Sequence, residues 1–325
     1  MVRTRVRART RERGIALLTA ILLVAIGTII ATSIGYETVL TARRGQGTFA
    51  FDQSILAGEA AEALAAYALR ESRQQNPKVD APGQPWSMPY GPAELAPGVT
   101  IEASLEDMQG RFNLNNLVND SGQIDPNELQ ALQNLLQILG LEPKWASLIA
   151  DWIDADSVIY GPDGAEDSTY LSQIPPYRTA NRQITSASEL LALPGFGPDR
   201  YATLAPFVTA LPRGTTVNLC TASGPVLDAL GPAGERQYSR LSPQDLAVQR
   251  ANGCFPTVSV YQAAFKGGAG ATATPAMTSV GAQSDYFRLT SIVDIGNSEF
   301  YLYSLLHRGS TGNQVQVIQR SFTAD

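Results

Sequence analysis

Residues 14–34, GIALLTAILLVAIGTIIATSI, contain no charged side chain, and the reading of this run decides the fold. A helix needs about 20 consecutive apolar residues to cross the hydrocarbon core of a bilayer. Upstream stand Arg3, Arg5, Arg7, Arg9, Arg11 and Arg13 against the single Glu12. By the positive-inside rule this keeps the N-terminus cytoplasmic and puts everything after Ile34 outside. A secretory signal peptide is the competing reading, but such a peptide has a short apolar core and ends in a small-residue site. Here the run is too long and passes into Tyr36 and Glu37 without one.

The helical pattern continues past the membrane. Phe49, Leu56, Ala60, Leu64 and Tyr67 recur on a helical period through an Ala- and Glu-rich segment that Asn76-Pro77 ends. An unbroken helix over 15–75 is about 90 Å long, with its weak point at Gly45 and Gly47. A juxtamembrane coiled coil is the alternative, but the heptad pattern is not sustained.

With 325 residues and 44% apolar residues, the chain can bury one sizeable core or two smaller ones. The net charge of -6 includes the basic leader; without residues 1–14 there remain 18 basic and 29 acidic residues, a net -11. An acidic ectodomain is a poor partner for phosphate backbones and suits cation binding where its carboxylates cluster.

In chain order, Pro77–Pro97 reads as a Pro- and Gly-rich loop and Val99–Asp107 as a half-buried strand. The run Gln109–Leu117 is a turn into an Asn-rich segment that shapes loops. Residues 125–210 read as helices: one capped by Asp125-Pro126 and running to Gly140, one from Pro143 to Ile153, and one opened by the capping box Ser186–Glu189. Thr215–Leu219 then returns to a strand, so the helices form an insertion between strands. Cys220 and Cys254 are the only cysteines. In an oxidising compartment an isolated pair most simply forms a disulfide, contributing roughly 3 to 4 kcal/mol; two free thiols are the alternative. Between them, Ser242-Pro243 starts a further helix ending near Gly253. After a flexible Gly/Ala/Thr-rich stretch over 267–284, the segments 286–294, 299–308 and 314–322 alternate and form a three-stranded antiparallel meander. With the first strand it can make a sheet that packs on the N-terminal helix.

Two motifs invite other functions. Leu193-Pro194-Gly195-Phe196-Gly197, between two short helices, is similar to the helix-hairpin-helix that offers backbone N–H groups to a DNA phosphate. Around it stand only Arg200 and, farther off, Arg182 and Arg213, too few cations for that task. A tight corner between packed helices explains it with no ligand. His307, the only histidine, lies among apolar neighbours on a strand, with no nucleophile or base pattern around it. The chain therefore does not read as an enzyme.

The densest chemical signal is acidic. Asp151, Asp154, Asp156, Asp163, Glu166 and Asp167 fall within seventeen positions, with no basic residue between Lys144 and Arg178. Crowded carboxylates repel one another, and a hard cation taking six to eight oxygens relieves that. Val158 at the fifth place and the lack of Gly at the sixth exclude an EF-hand starting at Asp154. A solvated acidic loop remains the plain alternative, and Asp151 is expected to serve the helix that precedes the loop.

The leader Arg13-Gly14-Ile15, Thr19, the run Gly110–Leu117, Asp151–Asp156, Gly164–Asp167, Pro176-Tyr177-Arg178, Asn181 and Val217-Asn218-Leu219 together resemble the type II secretion system minor pseudopilin K family. The resemblance spans most of residues 10–230. It implies a pilin-like α+β fold: a leader over 1–14, an N-terminal helix over 15–75 with its transmembrane part over 15–34, a pilin-like domain over 98–112 and 215–325, and an inserted helical domain over 113–214. It implies cleavage by a prepilin peptidase between Gly14 and Ile15 and N-methylation of Ile15; a plain uncleaved anchor is the alternative. Pilin-like proteins mostly carry Glu at the fifth position after the cut, where this chain has Thr19, and its absence fits a tip subunit. The family further implies calcium in the inserted domain, with Asp154, Asp156, Asp163, Glu166 and Asp167 as ligands. Its implied role is at the tip of a periplasmic pseudopilus, anchored by a single pass in the inner membrane, with other minor pseudopilins and exported proteins as partners and no nucleic acid. The alternatives are a membrane-tethered helix-hairpin-helix protein of DNA uptake and a type IV pilus minor pilin.

Overall fold

In a computed structural model, helix α1 runs from Arg9 to Gln75 without a break, through Gly45 and Gly47. The structure describes residues 9–231, 234, 236–251, 253–261, 280–309 and 314–323. The flexible stretch expected from 267 lies outside them as far as 279, as do leader residues 1–8. The chain divides into two compact units, residues 1–56 and 57–325. In the first, α1 contains a stretch of mean hydropathy 2.6 that is nowhere buried, long and apolar enough to cross a membrane.

In the second unit the last turns of α1 cover a five-stranded antiparallel sheet. Ala57, Ala61, Ala65 and Leu69 recur every fourth residue and so share one helix face. They pack in one cluster with Ile101, Phe287, Leu289, Val293 and Leu306. Contact is close: a Cβ on Gly58 would lie 2.5 Å from Leu302 Cδ2. Glu62, 5% exposed on the same face, accepts hydrogen bonds from Ser304 Oγ at 2.6 Å and from Arg320 at 2.7 and 2.8 Å.

The sheet contains β1 (Tyr90–Ala96), β2 (Val99–Asp107), β7 (Tyr286–Ile295), β8 (Ser298–Arg308) and β9 (Val315–Ser321), in the order β1-β2-β7-β8-β9. The C-terminal meander and its pairing with Val99–Asp107 match the alternation in the sequence. The expected loop over 77–97 is corrected at its end, where β1 pairs with β2 through irregular register. Pro92 misleads because proline is tolerated on an edge strand, and β1 is an edge.

The helical part contains α2 (Pro126–Ile138), α3 (Trp145–Ile153), α4 (Asp167–Tyr170), α5 (Gly197–Leu204), α6 (Gly224–Ala229) and α7 (Pro243–Arg250). Three two-residue strands lie in it, β3 (Phe112–Asn113), β4 (Val208–Thr209) and β5 (Val217–Asn218), with β6 (Val280–Gly281) pairing to β5. Asp125 caps α2 as expected, accepting from the N–H groups of Asn127 and Glu128. The Ser186 box opens a 3-10 turn over Ala187–Ala192, because Pro194 two residues later prevents a longer helix. The strand expected over 215–219 shrinks to Val217-Asn218 and pairs in parallel with β6, outside the main sheet. One apolar cluster runs from Phe112 to Tyr261, taking in Val217, Leu219, Ala222, Val226 and Leu227. The helical core thus reaches past the insertion boundary drawn at 214, since Val217, Leu219, Ala222, Val226, Leu227, Ala229, Leu230 and Tyr261 are buried in the same cluster as the helices.

The asparagine run does more than shape loops. Asn113, Asn115 and Asn116 are buried, and their side chains bond backbone groups of Ile184, Leu211, Pro212, Gly214 and Thr215. Buried amides need such partners, and here they tie both ends of the insertion together.

Candidate functional site

Helix α3 ends at Ile153, and the chain then loops from Asp154 to Glu166 before the short α4. Asp151, fully buried in the last turn of α3, accepts hydrogen bonds from the N–H groups of Tyr160 at 3.2 Å and Ala165 at 2.8 Å. Its carboxylate therefore holds the loop that follows and does not serve its own helix alone. Gly164 is pressed so tightly there that a Cβ would stand 2.2 Å from Asp151 Oδ2.

This wrapping brings three of the five expected ligands together. One carboxylate oxygen from each of Asp154, Asp156 and Glu166 lies within 4.8 Å of the others. Asp154 and Glu166 are 3% and 4% exposed, and Asp154 Oδ1 and Glu166 Oε1 are buried without a hydrogen-bond partner. Such orphans are costly, because a buried polar atom loses water without recompense. Burial, then repulsion from Asp156, Asp151 and Glu166, pushes the Asp154 carboxyl up to about 7. Burial also raises Glu166, and takes Asp151 to about 6.

The other two expected ligands are placed differently. Asp167 opens α4 and accepts from Arg178 at 2.9 Å and from the N–H and hydroxyl of Thr179, so its charge is already engaged. Asp163 is exposed and stands outside the cluster.

Two neighbours were not expected at the acidic cluster, although Asn181 is among the residues that carry the family resemblance. Asn181, the one non-glycine residue with positive φ among those described, donates from Nδ2 to the carbonyl of Asp156 at 2.8 Å, and its Oδ1 is buried without a partner. The Tyr170 hydroxyl is likewise buried and unpartnered, and repulsion from Asp151 and Glu166 adds to burial in raising its pKa. Nothing local assigns either residue to the cluster, because they arrive from beyond the loop. The donor set is all oxygen, without thiolate or imidazole, and suits a hard cation such as calcium.

The helix-hairpin-helix corner is internally satisfied. Arg200, its nearest cation, donates to the carbonyls of Gly195 and Phe196 at 3.0 Å and lies over the Trp145 ring. In α1, the Thr19 hydroxyl bonds the carbonyls of Ile15 and Ala16 in its own helix, and Ile15 is 63% exposed. Cys220 and Cys254 form a disulfide.

These features have relatives. Residues 110–213 match the family model described as type II secretion system (T2SS), protein K. Along nearly its whole length the chain is 31% identical to type II secretion system protein K of Pseudomonas aeruginosa, covering 96% of this chain and 93% of that one. It belongs to the type II secretion system protein K family. The protein K of Klebsiella pneumoniae is 31% identical over 96% of this chain and 97% of its own. The crystal structure of the GspK-GspI-GspJ complex from the enterotoxigenic Escherichia coli type 2 secretion system contains a chain of the same fold, with a TM-score of 0.67 and 24% identity, covering 87% of this chain and all of that one. Membership makes this chain a minor pseudopilin, a structural component of the secretion machinery with an apolar N-terminal helix.

Proposed function

We propose that the chain sits at the tip of the periplasmic pseudopilus in complex with other minor pseudopilins, supporting export of folded proteins and catalysing nothing itself. The observation that carries this reading is Thr19, whose hydroxyl is satisfied within α1. A neutral side chain there cannot pair with the buried ammonium of another subunit as a carboxylate can. The large helical insertion supports a cap, since a heterologous contact extends a filament only where both faces are open. The family fold in GspK-GspI-GspJ supports association with pseudopilins of that kind. Leader removal between Gly14 and Ile15, methylation of Ile15, and an inner-membrane anchor with a periplasmic C-terminal part complete the reading. Excess protein is expected to shorten pseudopili, and Gly14→Leu to leave the leader attached. Longer filaments on overexpression, or Met1 at the N-terminus of assembled protein, would overturn it.

Within this reading, calcium is held by Asp154, Asp156 and Glu166, with Asn181 bonded to the Asp156 carbonyl beside them. The ion supplies positive charge where the loop has none. The fit rests on the orphaned carboxylate oxygens and the lack of a cation from residue 145 to 177.

A further inference from the structure

The last turns of α1 cover one face of the five-stranded sheet, and the opposite face is covered only in part. There Arg288, Tyr303 and Leu305 line a cavity shared with Ala205, Val208 and Leu211 of the helical insertion. Arg111 ties this contact together, donating to Glu106 at 3.1 Å and to the carbonyl of Ala205 at 3.2 Å, and Arg288 donates to Glu106 at 2.7 Å. Where the chain covers this face, arginine meets its acid. Toward the turn between β7 and β8 that pattern stops. Because side chains alternate along a strand, Tyr301 shares the face with Tyr303; it is 39% exposed, and the two rings lie 13° from parallel with centroids 6.3 Å apart. Glu299 stands directly opposite Asp294, with Glu94 in the same row beyond Thr100, and Glu102 lies across Ile292 from Tyr301. Among the described residues no basic side chain pairs with any of these four carboxylates. Like charges directly opposite one another destabilise a sheet, and this row carries that cost unrelieved. A hydrogen bond to Glu299, and then the charge of Glu299, raise the pKa of the Tyr301 hydroxyl, so ring and carboxylate form one edge.

We infer that this open part of the sheet docks a basic segment of another minor pseudopilin, with a guanidinium or ammonium group over the Tyr301 and Tyr303 rings and beside Glu102, Asp294 and Glu299. A cation is drawn to the face of a tyrosine ring, more strongly as water is expelled. The carboxylates steer a basic surface to the site and set its register, and they relieve their own repulsion by meeting it. The same four acids repel phosphate, so neither a lipid headgroup nor a nucleic acid matches the charge. The surface continues a contact that the chain already makes with itself, since Glu106 lies on the same face of β2 as Glu102 and takes two arginines.

The inference rests on the association with other minor pseudopilins proposed above, and the test separates the two. The full chain carries the photo-crosslinker p-benzoylphenylalanine in place of Ser104, which is exposed on this face and lies across Thr290 from Tyr303. It is co-expressed with the other minor pseudopilins of its own system and irradiated in cells. The expected product joins it to one of them through a peptide containing Lys or Arg. In titrations of the full chain in nanodiscs with that pseudopilin, Glu299→Arg and Glu102→Lys are each expected to weaken binding about tenfold, and added salt to weaken it in wild type. Tyr301→Ala is expected to weaken it several-fold, and Asp120→Lys, on an exposed turn, to leave it unchanged. An unshifted melting temperature shows that each variant is folded. Wild-type binding by both charge-reversed variants overturns the inference, as does a cross-link to lipid or to an exported protein, or none while pseudopilins co-purify. A chain that captures no minor pseudopilin at all defeats the association reading, and this inference with it.

Discussion

Two groups of buried carboxylates in this molecule are handled in opposite ways. At the junction of sheet and helices, Asp80 is wholly buried against Arg308 at 2.6 Å, with Arg73 at 3.5 Å on the same oxygen. Nearby, Asp107 accepts from the hydroxyls of Thr221 and Ser284 at 2.6 Å, from Asn218 at 2.9 Å and from the Gln109 N–H. In the loop after α3, Asp154 and Glu166 are almost as buried, yet among the described residues no cationic side chain pairs with them and an oxygen of each has no hydrogen-bond partner. At the first site protein cations balance the buried charge, although Asp80 Oδ1 is also without a hydrogen-bond partner, whereas at the second no cation among the described residues does so. A buried carboxylate without its partner is tolerated in a fold only where something else supplies the missing charge or the group takes up a proton.

The sharpest way to break this comparison is at the junction. Arg308→Leu leaves Asp80 buried without its closest partner and is expected to cost about 3–5 kcal/mol in denaturant unfolding. A loss under about 1 kcal/mol would mean that Arg73 alone suffices.

The loop comes next in size. Calcium at about a hundredfold over its dissociation constant is expected to stabilise the chain by about 2.7 kcal/mol, seen in calorimetry as a rise in melting temperature. Asp156→Ala is expected to remove that rise and Asp163→Ala to keep it. The reverse pattern would move the site to the exposed side of the loop.

The smallest effect is in pH. Asp154 titrates at about 7 in the fold against 3.8 for a free carboxyl, so the folded chain binds a proton that the unfolded chain does not. That raises stability as pH falls through 7, until the unfolded carboxyl also protonates near 4. In chelated protein the advantage of wild type over Asp154→Asn is therefore expected to grow from about pH 8 to about pH 5 in thermal melts. With saturating calcium the gain disappears, because the ion and the proton compete for the same oxygens. A difference independent of pH without calcium would place the Asp154 charge in a better solvated setting than its burial implies.

Legibility in the sequence followed the range of the forces involved. The long helix, the Asp125 cap and the C-terminal meander depend on period and turn chemistry within a few residues, and each was readable. β1 was missed because an edge strand carries prolines that read as loop. The acidic loop was visible as charge density, but the choice among its carboxylates was not. Asp167 is taken by Thr179 and Arg178, and Asp163 faces solvent, facts that depend on how the loop folds back on α3.

By itself the sequence determined the apolar anchor with its basic flank, the helical character of the insertion, the C-terminal strands and the crowding of like charge between Lys144 and Arg178. These rest on composition and on spacings that any local segment carries with it. Only the tertiary structure decided that Val217, Leu219, Val226, Leu227 and Tyr261 share the helical core, that Asp154, Asp156 and Glu166 converge, and that Asn181 joins them from fifteen residues past Glu166. Burial and pairing are properties of what lies opposite a side chain, and what lies opposite is set by packing between segments that are distant in the chain.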